Sequence, residues 1–409
     1  MLYPLHDLQR SLFRPVSEWA AAGAGVLRAS PLPGVPALAA GWELLHRITR
    51  DYPKPGFGVH ETTAHGRTVS VVEEVVADRP FCRLLRFVRR TEDPAVASAL
   101  AADRKVLLCA PLSGHHATLL RDTVKALVHD FDVYVTDWKD ARDVPLSEGD
   151  FHLDTYVQYL QDFMRQLGPR GLHVMAVCQP VVPALGAVSL LASAGEPTPL
   201  SLVLMGGPVD GRAAPTEVNT LATSKPLEWF ERNLVHAVPA GHPGAGRKVY
   251  PGFLQLTAFV AMNPLRHANA YRDYFVDRVR GEDGAAHERF YDEYNSVLDM
   301  DAAFYLETVD VVFQRFLLPR GEWDVAGQRV RPADIRETAL LTVEGSEDDI
   351  SAPGQTHAAQ GLCAAIPEGR RGHLLVEGAG HYGIFSGHRF RESVYPQVRD
   401  FLKAQEGQP

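Results

Sequence analysis

The stretch that decides the fold is LHVMAVCQPVVPALGA, residues 172–187. Six apolar or weakly polar residues run up to Cys178. They are followed by Gln179, two prolines and a run of small residues. The first part reads as a strand buried on both faces, the second as a closely packed helix. A sharp turn between such elements lifts one side chain above the carboxyl edge of a sheet. Pro180 suits the first turn of a helix, where a missing N–H is no loss. The helix N-terminus places the N–H of Gln179 and positive potential beside Cys178, which favours thiolate over thiol. The usual pattern for such an elbow is G-x-S-x-G. Here Ala176 and Pro180 stand at the glycine positions and Cys178 at the serine. By itself, a cysteine after a buried strand is ordinarily a small core residue.

Working outward, similar apolar runs recur: KVLLCAPL from 105, DVYVTDW at 132–138, LSLVLMGG at 200–207, TALLTVEG at 338–345 and GHLLVEGAG at 372–380. Helical patterns separate them at 116–129, 154–167, 183–195, 354–366 and 388–404. Alternation of this kind predicts an α/β fold with a mostly parallel, doubly wound sheet. Upstream, 68–76 and 81–88 read as two further strands. Residues 1–50 read as helical pieces broken by Pro31, Pro33 and Pro36.

The alternation stops near residue 209. Sixteen of the 36 Phe, Trp and Tyr residues fall in 209–335, less than a third of the chain. An inserted helical cap with an aromatic core is predicted there. The division expected is an N-terminal helical segment (1–60) packing on the core, a core of 61–208 and 336–409, and a cap of 209–335.

Two later motifs complete a chemical set. In VEGSEDDISAP, Asp348 and Asp349 follow a strand; in LLVEGAGHYGIF, His381 follows the last strand in a glycine-rich turn. A pair of acids in a loop is usually a solvated turn, and a lone histidine is usually incidental. Nucleophile, acid and histidine in this chain order, each at a strand's carboxyl end, is the order this architecture demands. His381 would take the thiol proton, and Asp348, with Asp349 as the alternative, would fix the tautomer. A second oxyanion donor is expected in APLSGHHATLL (110–120), with Ser113 or Leu112 the best placed and Gly114 free to take unusual torsions. His115 and His116 either face substrate or cap the next helix.

Composition narrows the class. The net charge is −9 and no long basic run occurs, which disfavours nucleic-acid binding. Cys82, Cys109, Cys178 and Cys363 are scattered, without zinc spacing or a disulfide pattern, and read as reduced thiols of a cytoplasmic protein. No metal or cofactor is expected. No signal-peptide pattern or apolar stretch of membrane-spanning length is seen.

These blocks resemble the bacterial intracellular polyhydroxybutyrate depolymerases. The resemblance runs through PLSGHHATLLRDTV (111–124), TDWKDARDVP (136–145), AVCQPVVPAL (176–185), VEGSEDDISAPGQT (343–356) and EGAGHYGIFSG (377–387), with MLYPLHDLQR at the start. It implies an α/β-hydrolase fold, a cysteine nucleophile at Cys178, a base at His381, and cleavage of stored poly(3-hydroxybutyrate) at the granule surface. The oligomeric state is left open by the sequence, a homo-oligomer being one arrangement. The rival readings are a polyhydroxyalkanoate synthase, whose elbow keeps both glycines, a small-molecule esterase or thioesterase, and a non-catalytic granule protein.

Overall fold

The apolar runs assemble, in a computed structural model that describes residues 2–28, 30, 32, 34–262 and 264–406, into one nine-stranded sheet among those residues. In chain order the strands are β1 (Glu61–Ala64), β2 (Arg67–Asp78), β3 (Cys82–Arg90), β4 (Lys105–Cys109), β5 (Asp132–Trp138), β6 (Leu172–Val177), β7 (Ser201–Met205), β8 (Ala339–Gly345) and β9 (Arg371–Val376). In space they run β1-β2-β3-β5-β4-β6-β7-β8-β9. From β5 to β9 all neighbours are parallel, whereas β1, β2 and β3 extend one edge antiparallel.

Burial explains the two strand types. Every residue of β5, β6, β7 and β8 is buried, as strands covered on both faces require. Their side chains alternate between two cores. Leu107, Val174, Ala176 and Leu204 pack with Leu153–Leu167 and Val181–Ser193 on one face. Val106, Met175, Val177 and Val343 pack with Arg121–Asp130 and Tyr395–Ala404 on the other. By contrast, most of β2 faces solvent.

Two local expectations change. The helix read at 354–366 contracts to Ala358–Leu362, because the buried Glu344 carboxylate accepts the N–H groups of Gly354, Thr356 and His357 and holds them in turns. A short strand, β1, and a helix, Pro94–Ala102 with Asp93 as its N-cap, went unread in the sequence. Pro31 and Pro33 lie outside the described residues, and Pro36 sits in the first turn of Val35–Thr49.

Between β7 and β8 the chain leaves the sheet and builds the cap. Its helices include Glu217–Ser224, Leu227–Leu234, Gly252–Met262, Pro264–Arg280, Ala285–Tyr294 and Ala302–Thr308. A small sheet orders Met300–Asp301, Lys248–Tyr250 and His236–Ala237 side by side. Buried Arg247 ties the cap down. Its guanidinium donates to the carbonyls of Val144, Pro145 and Gly149 and to Asp301 at 2.8 Å. Phe304 stacks on Tyr156 of the core at 5.6 Å between centroids, and burying such a ring contributes about 1.5–3 kcal/mol.

The N-terminal helices Leu2–Arg28 and Val35–Thr49 pair with each other. The N-terminal segment meets both the cap and the core. Its polar contacts run largely to the cap: Arg47 to Asp292, Arg278 to Glu43, Tyr3 to Asp299 and Asp7 to His242. The cap supplies the matching charges, whereas the core meets the segment further on, at Lys54–Asp137 and in the packing of Phe57 on Phe87.

Candidate active site

Cys178 stands in the left-handed region, with φ of 67°, at the junction between β6 and the helix Val181–Ser193. For a residue with a side chain this conformation costs about 1–3 kcal/mol, and it persists only where its surroundings enforce it. Three contacts do so. The Cys178 N–H donates to the Met205 carbonyl at 2.7 Å, and its carbonyl accepts from the N–H of Val181 at 3.1 Å. Gly207 presses close: a Cβ there would lie 2.5 Å from the Cys178 carbonyl oxygen and 2.3 Å from Val181 Cβ. A glycine is thus required beside the elbow, contributed by the end of β7 rather than by the motif. The helix has its own close approach at Gly186, where a Cβ would meet Trp323 at 2.7 Å.

Asp348 and His381 arrive from the ends of β8 and β9. His381 Nδ1 lies 2.7 Å from Asp348 Oδ2. The other oxygen, Oδ1, accepts the N–H groups of Ile350 and Ser351 at 2.9 and 2.8 Å, so the carboxylate is held at both ends. With Nδ1 engaged, Nε2 is the ring nitrogen left for Cys178. Burial by itself disfavours the charged imidazolium. The charges of Cys178 and Asp348, and the hydrogen bonds to both, outweigh burial and hold the His381 pKa well above the ordinary histidine range. Of the two acids weighed from the sequence, Asp348 is buried and bonded to His381, whereas the Asp349 side chain is exposed.

The four cysteines separate clearly. Cys82, Cys109 and Cys363 are buried, and burial pushes each thiol up, Cys363 to about 12. Cys178 is half-buried and reaches the pocket.

The loop after β4 closes the other side. The Leu112 N–H donates to Gln179 Oε1 at 3.3 Å, which joins this loop to the elbow, and Ser113 lines the same pocket. Gly114 takes φ of 102°, with Gln255 packed where a side chain would be. Its carbonyl accepts from Leu298 of the cap at 2.8 Å. His115 is buried with Nε2 on the Tyr294 carbonyl at 3.1 Å, and its ring lies against Phe259 and Tyr294. Burial lowers its pKa to about 4, and that of His116 to about 3. His115 therefore joins loop to cap while one edge borders the pocket, and His116 stands at the N-terminal end of Ala117–Leu120 without a side-chain hydrogen bond to that helix.

Above Cys178 and His381 the cap encloses a cavity of about 810 Å³. Tyr250, Phe259, Phe304, Tyr305 and Phe313 give it an aromatic wall. Exposed Glu217, Leu221 and Ala258 also border it, so it opens to solvent between the helices Glu217–Ser224 and Gly252–Met262. The sequence marked this region as aromatic but carried no signal for which rings turn inward. Among the described residues no cluster of His, Cys, Asp or Glu is placed to hold a metal. No helix among them is long and apolar enough to cross a membrane.

Strand order, a left-handed elbow at the end of β6, an acid after β8, a histidine after β9 and a helical cap inserted between β7 and β8 define the α/β-hydrolase fold. A family model described as PHB de-polymerase C-terminus matches residues 206–406. Solved structures similar to this chain include a putative lipase from Acinetobacter baumannii AYE, 13% identical, covering 83% of this chain and 92% of that one, with a TM-score of 0.46. Another is 2-hydroxy-6-oxo-6-phenylhexa-2,4-dienoate hydrolase from Rhodococcus sp. strain RHA1, 14% identical, covering 82% and 99%, with a TM-score of 0.44. A thioesterase domain from the curacin biosynthetic pathway is 9% identical, covering 81% and 99%, with a TM-score of 0.41. No curated protein sequence matches the chain.

Proposed function

We propose that this protein hydrolyses ester bonds of stored poly(3-hydroxybutyrate) through an acyl-thioester on Cys178, releasing 3-hydroxybutyrate oligomers and monomer. The observation that carries the reading is the placing of a half-buried thiol, in an enforced left-handed turn, beside a His381–Asp348 pair at the floor of an apolar pocket. The match to the depolymerase family model adds the substrate, since it spans the cap together with Asp348 and His381.

In this reading His381 takes the proton of Cys178, and the thiolate attacks the ester carbonyl. The N–H of Gln179 and one from the loop at Leu112–Ser113 receive the oxyanion. His381 returns its proton to the departing alkoxide, which leaves as the hydroxyl end of the shortened chain. Water then attacks the thioester with His381 as base. The products are a free carboxylic acid and the regenerated thiol. Asp348 holds the ring and the imidazolium throughout.

The pocket's size favours an extended substrate. Cavities of about 300–1,000 Å³ bury molecules of drug size, larger than one four-carbon acyl unit. An opening beside exposed cap residues admits a chain whose remainder stays outside. The protein would act in the cytoplasm, at the polyester granule.

Product analysis on amorphous granules tests the reading. Wild type releases 3-hydroxybutyrate and its oligomers without added CoA, and Cys178→Ala does not. Equal release by Cys178→Ala would make the thiol irrelevant. Liberation of CoA and polymer from 3-hydroxybutyryl-CoA would point to the synthase direction. Turnover of short soluble esters without any release from granules would leave a small-molecule esterase.

A further inference from the structure

The helix Leu2–Arg28 carries an apolar face that the fold does not use. Leu5, Leu8, Leu12, Val16, Trp19 and Val26 follow one another at helical spacing, within an arc of about 80° at 3.6 residues per turn. All are exposed: Leu12 by 66%, Trp19 by 76% and Val26 by 76%. The residues this helix buries are Tyr3, Ser17, Ala20 and Ala24, on another side. Its companion Val35–Thr49 exposes Leu38 and Ile48 as well.

We propose that this face docks the protein on the surface of a neutral, apolar, water-insoluble substrate phase, namely the polyester granule. The inference rests on the ester-cleavage reading above for the identity of that phase.

Two observations select this occupant. The first is charge. Residues 2–50 contain no lysine, and the helix's arginines are already matched within the protein: Arg10 with Asp51, Arg14 with Glu18, Arg28 with Glu43. Helices that lie on anionic lipid keep an excess of cationic side chains on the polar face. This one offers aromatic and aliphatic surface with its cations neutralised, which suits an uncharged polyester.

The second is continuity with the site. Tyr3 and His6 of this helix pack on Phe253, His6 stacking at 3.9 Å between centroids and Tyr3 edge-on at 5.6 Å. Phe253 belongs to the helix Gly252–Met262, whose Ala258 and Phe259 border the pocket. The docking helix therefore sits directly on the element that forms one lip of the pocket mouth. A substrate phase held by this helix is therefore held through an element that also lines the pocket.

The test uses the full chain and protein-free amorphous poly(3-hydroxybutyrate) granules. Co-sedimentation is compared for wild type, Leu12→Arg/Trp19→Arg and a second pair, Leu5→Arg/Leu8→Arg. Hydrolysis of a soluble short-chain chromogenic ester reports that the site is intact. The expected result is unchanged soluble-ester turnover with granule binding weaker by roughly tenfold or more in either pair. Binding equal to wild type in the pair that keeps soluble turnover would overturn the inference. So would selective binding of wild type to phosphatidylglycerol vesicles rather than granules, or a wild-type dimer that the substitutions dissociate while granule binding stays. If wild type pellets with granules, the variants do not, and no hydroxybutyrate is released, the cleavage reading fails and the docking face stands. If release is normal and the variants pellet as wild type, the docking face fails and the cleavage reading stands.

Discussion

Asp348 Oδ2 lies 2.7 Å from His381 Nδ1, and both side chains are buried. Thirty-three residues separate them in the chain. They meet because β8 and β9 are parallel neighbours in register, which puts the loops that follow both strands on one edge.

That contact predicts an asymmetry between adjacent acids. Asp348→Asn can present an amide N–H to Nδ1 and impose the wrong tautomer, so kcat should fall by about 10⁴ with the fold retained. Asp349→Asn, at an exposed side chain, should leave the rate near wild type. Steady-state kinetics on one soluble ester would settle the pair; equal losses would mean the assignment of the acid is wrong.

Gly207→Ala should damage elbow and stability together. Its Cβ would fall within 2.5 Å of the Cys178 carbonyl oxygen, a backbone atom with little room to move. Overpacking of this kind costs about 1–3 kcal/mol, and a displacement of about 1 Å at a reacting group can cost about 10² in rate. Gly369→Ala, which meets nothing within 4 Å, is the control. Thermal melts and turnover for both variants make the comparison.

Acid should loosen the junction between core and cap. Burial lowers the His115 pKa from 6.5 to about 4, so the folded protein holds this ring neutral while the unfolded chain protonates it. The stabilisation is complete above pH 6.5 and is lost as pH falls through 4. For this group alone it is on the order of 3 kcal/mol. Urea denaturation between pH 7.5 and 4 should show the decline, and His115→Gln should flatten it. A slope unaffected by His115→Gln would assign the acid sensitivity elsewhere.

Arg247→Met should be among the more destabilising single changes in the cap. It removes four hydrogen bonds and leaves Asp301 as an uncompensated buried charge, a loss of about 3–5 kcal/mol. Adding Asp301→Asn should restore part of it. If the double variant is no more stable than the single one, the buried pair is not the source of the loss.

Much of this architecture is legible in the chain because the period of the apolar residues depends on local burial. Continuous runs such as VYV in β5 and LHVMAV in β6 mark strands covered on both faces. The break in alternation after β7 marks an insertion. The turn at Cys178 is equally local: a strand, a cysteine, and a proline fit to start a helix. The order of Cys178, the acids Asp348 and Asp349, and His381 follows from the order of the strands.

What the sequence left open depends on partners far along the chain. Asp348 and Asp349 are chemically identical neighbours, and only the loop's path, with Ile350 and Ser351 donating to one carboxylate, turns Asp348 toward His381. The glycine that guards the elbow is Gly207, 29 positions beyond the cysteine, so no local motif could contain it. The placing of the helix Leu2–Arg28 came from its Tyr3 and His6, and from Arg47 of its companion helix, finding partners in the cap, and its unused apolar face became visible only when those contacts were made. Periodicity and residue type are properties of a segment, and the sequence determines them by itself. Which acid, which glycine and which face are outcomes of packing between segments, and only the tertiary structure decides those.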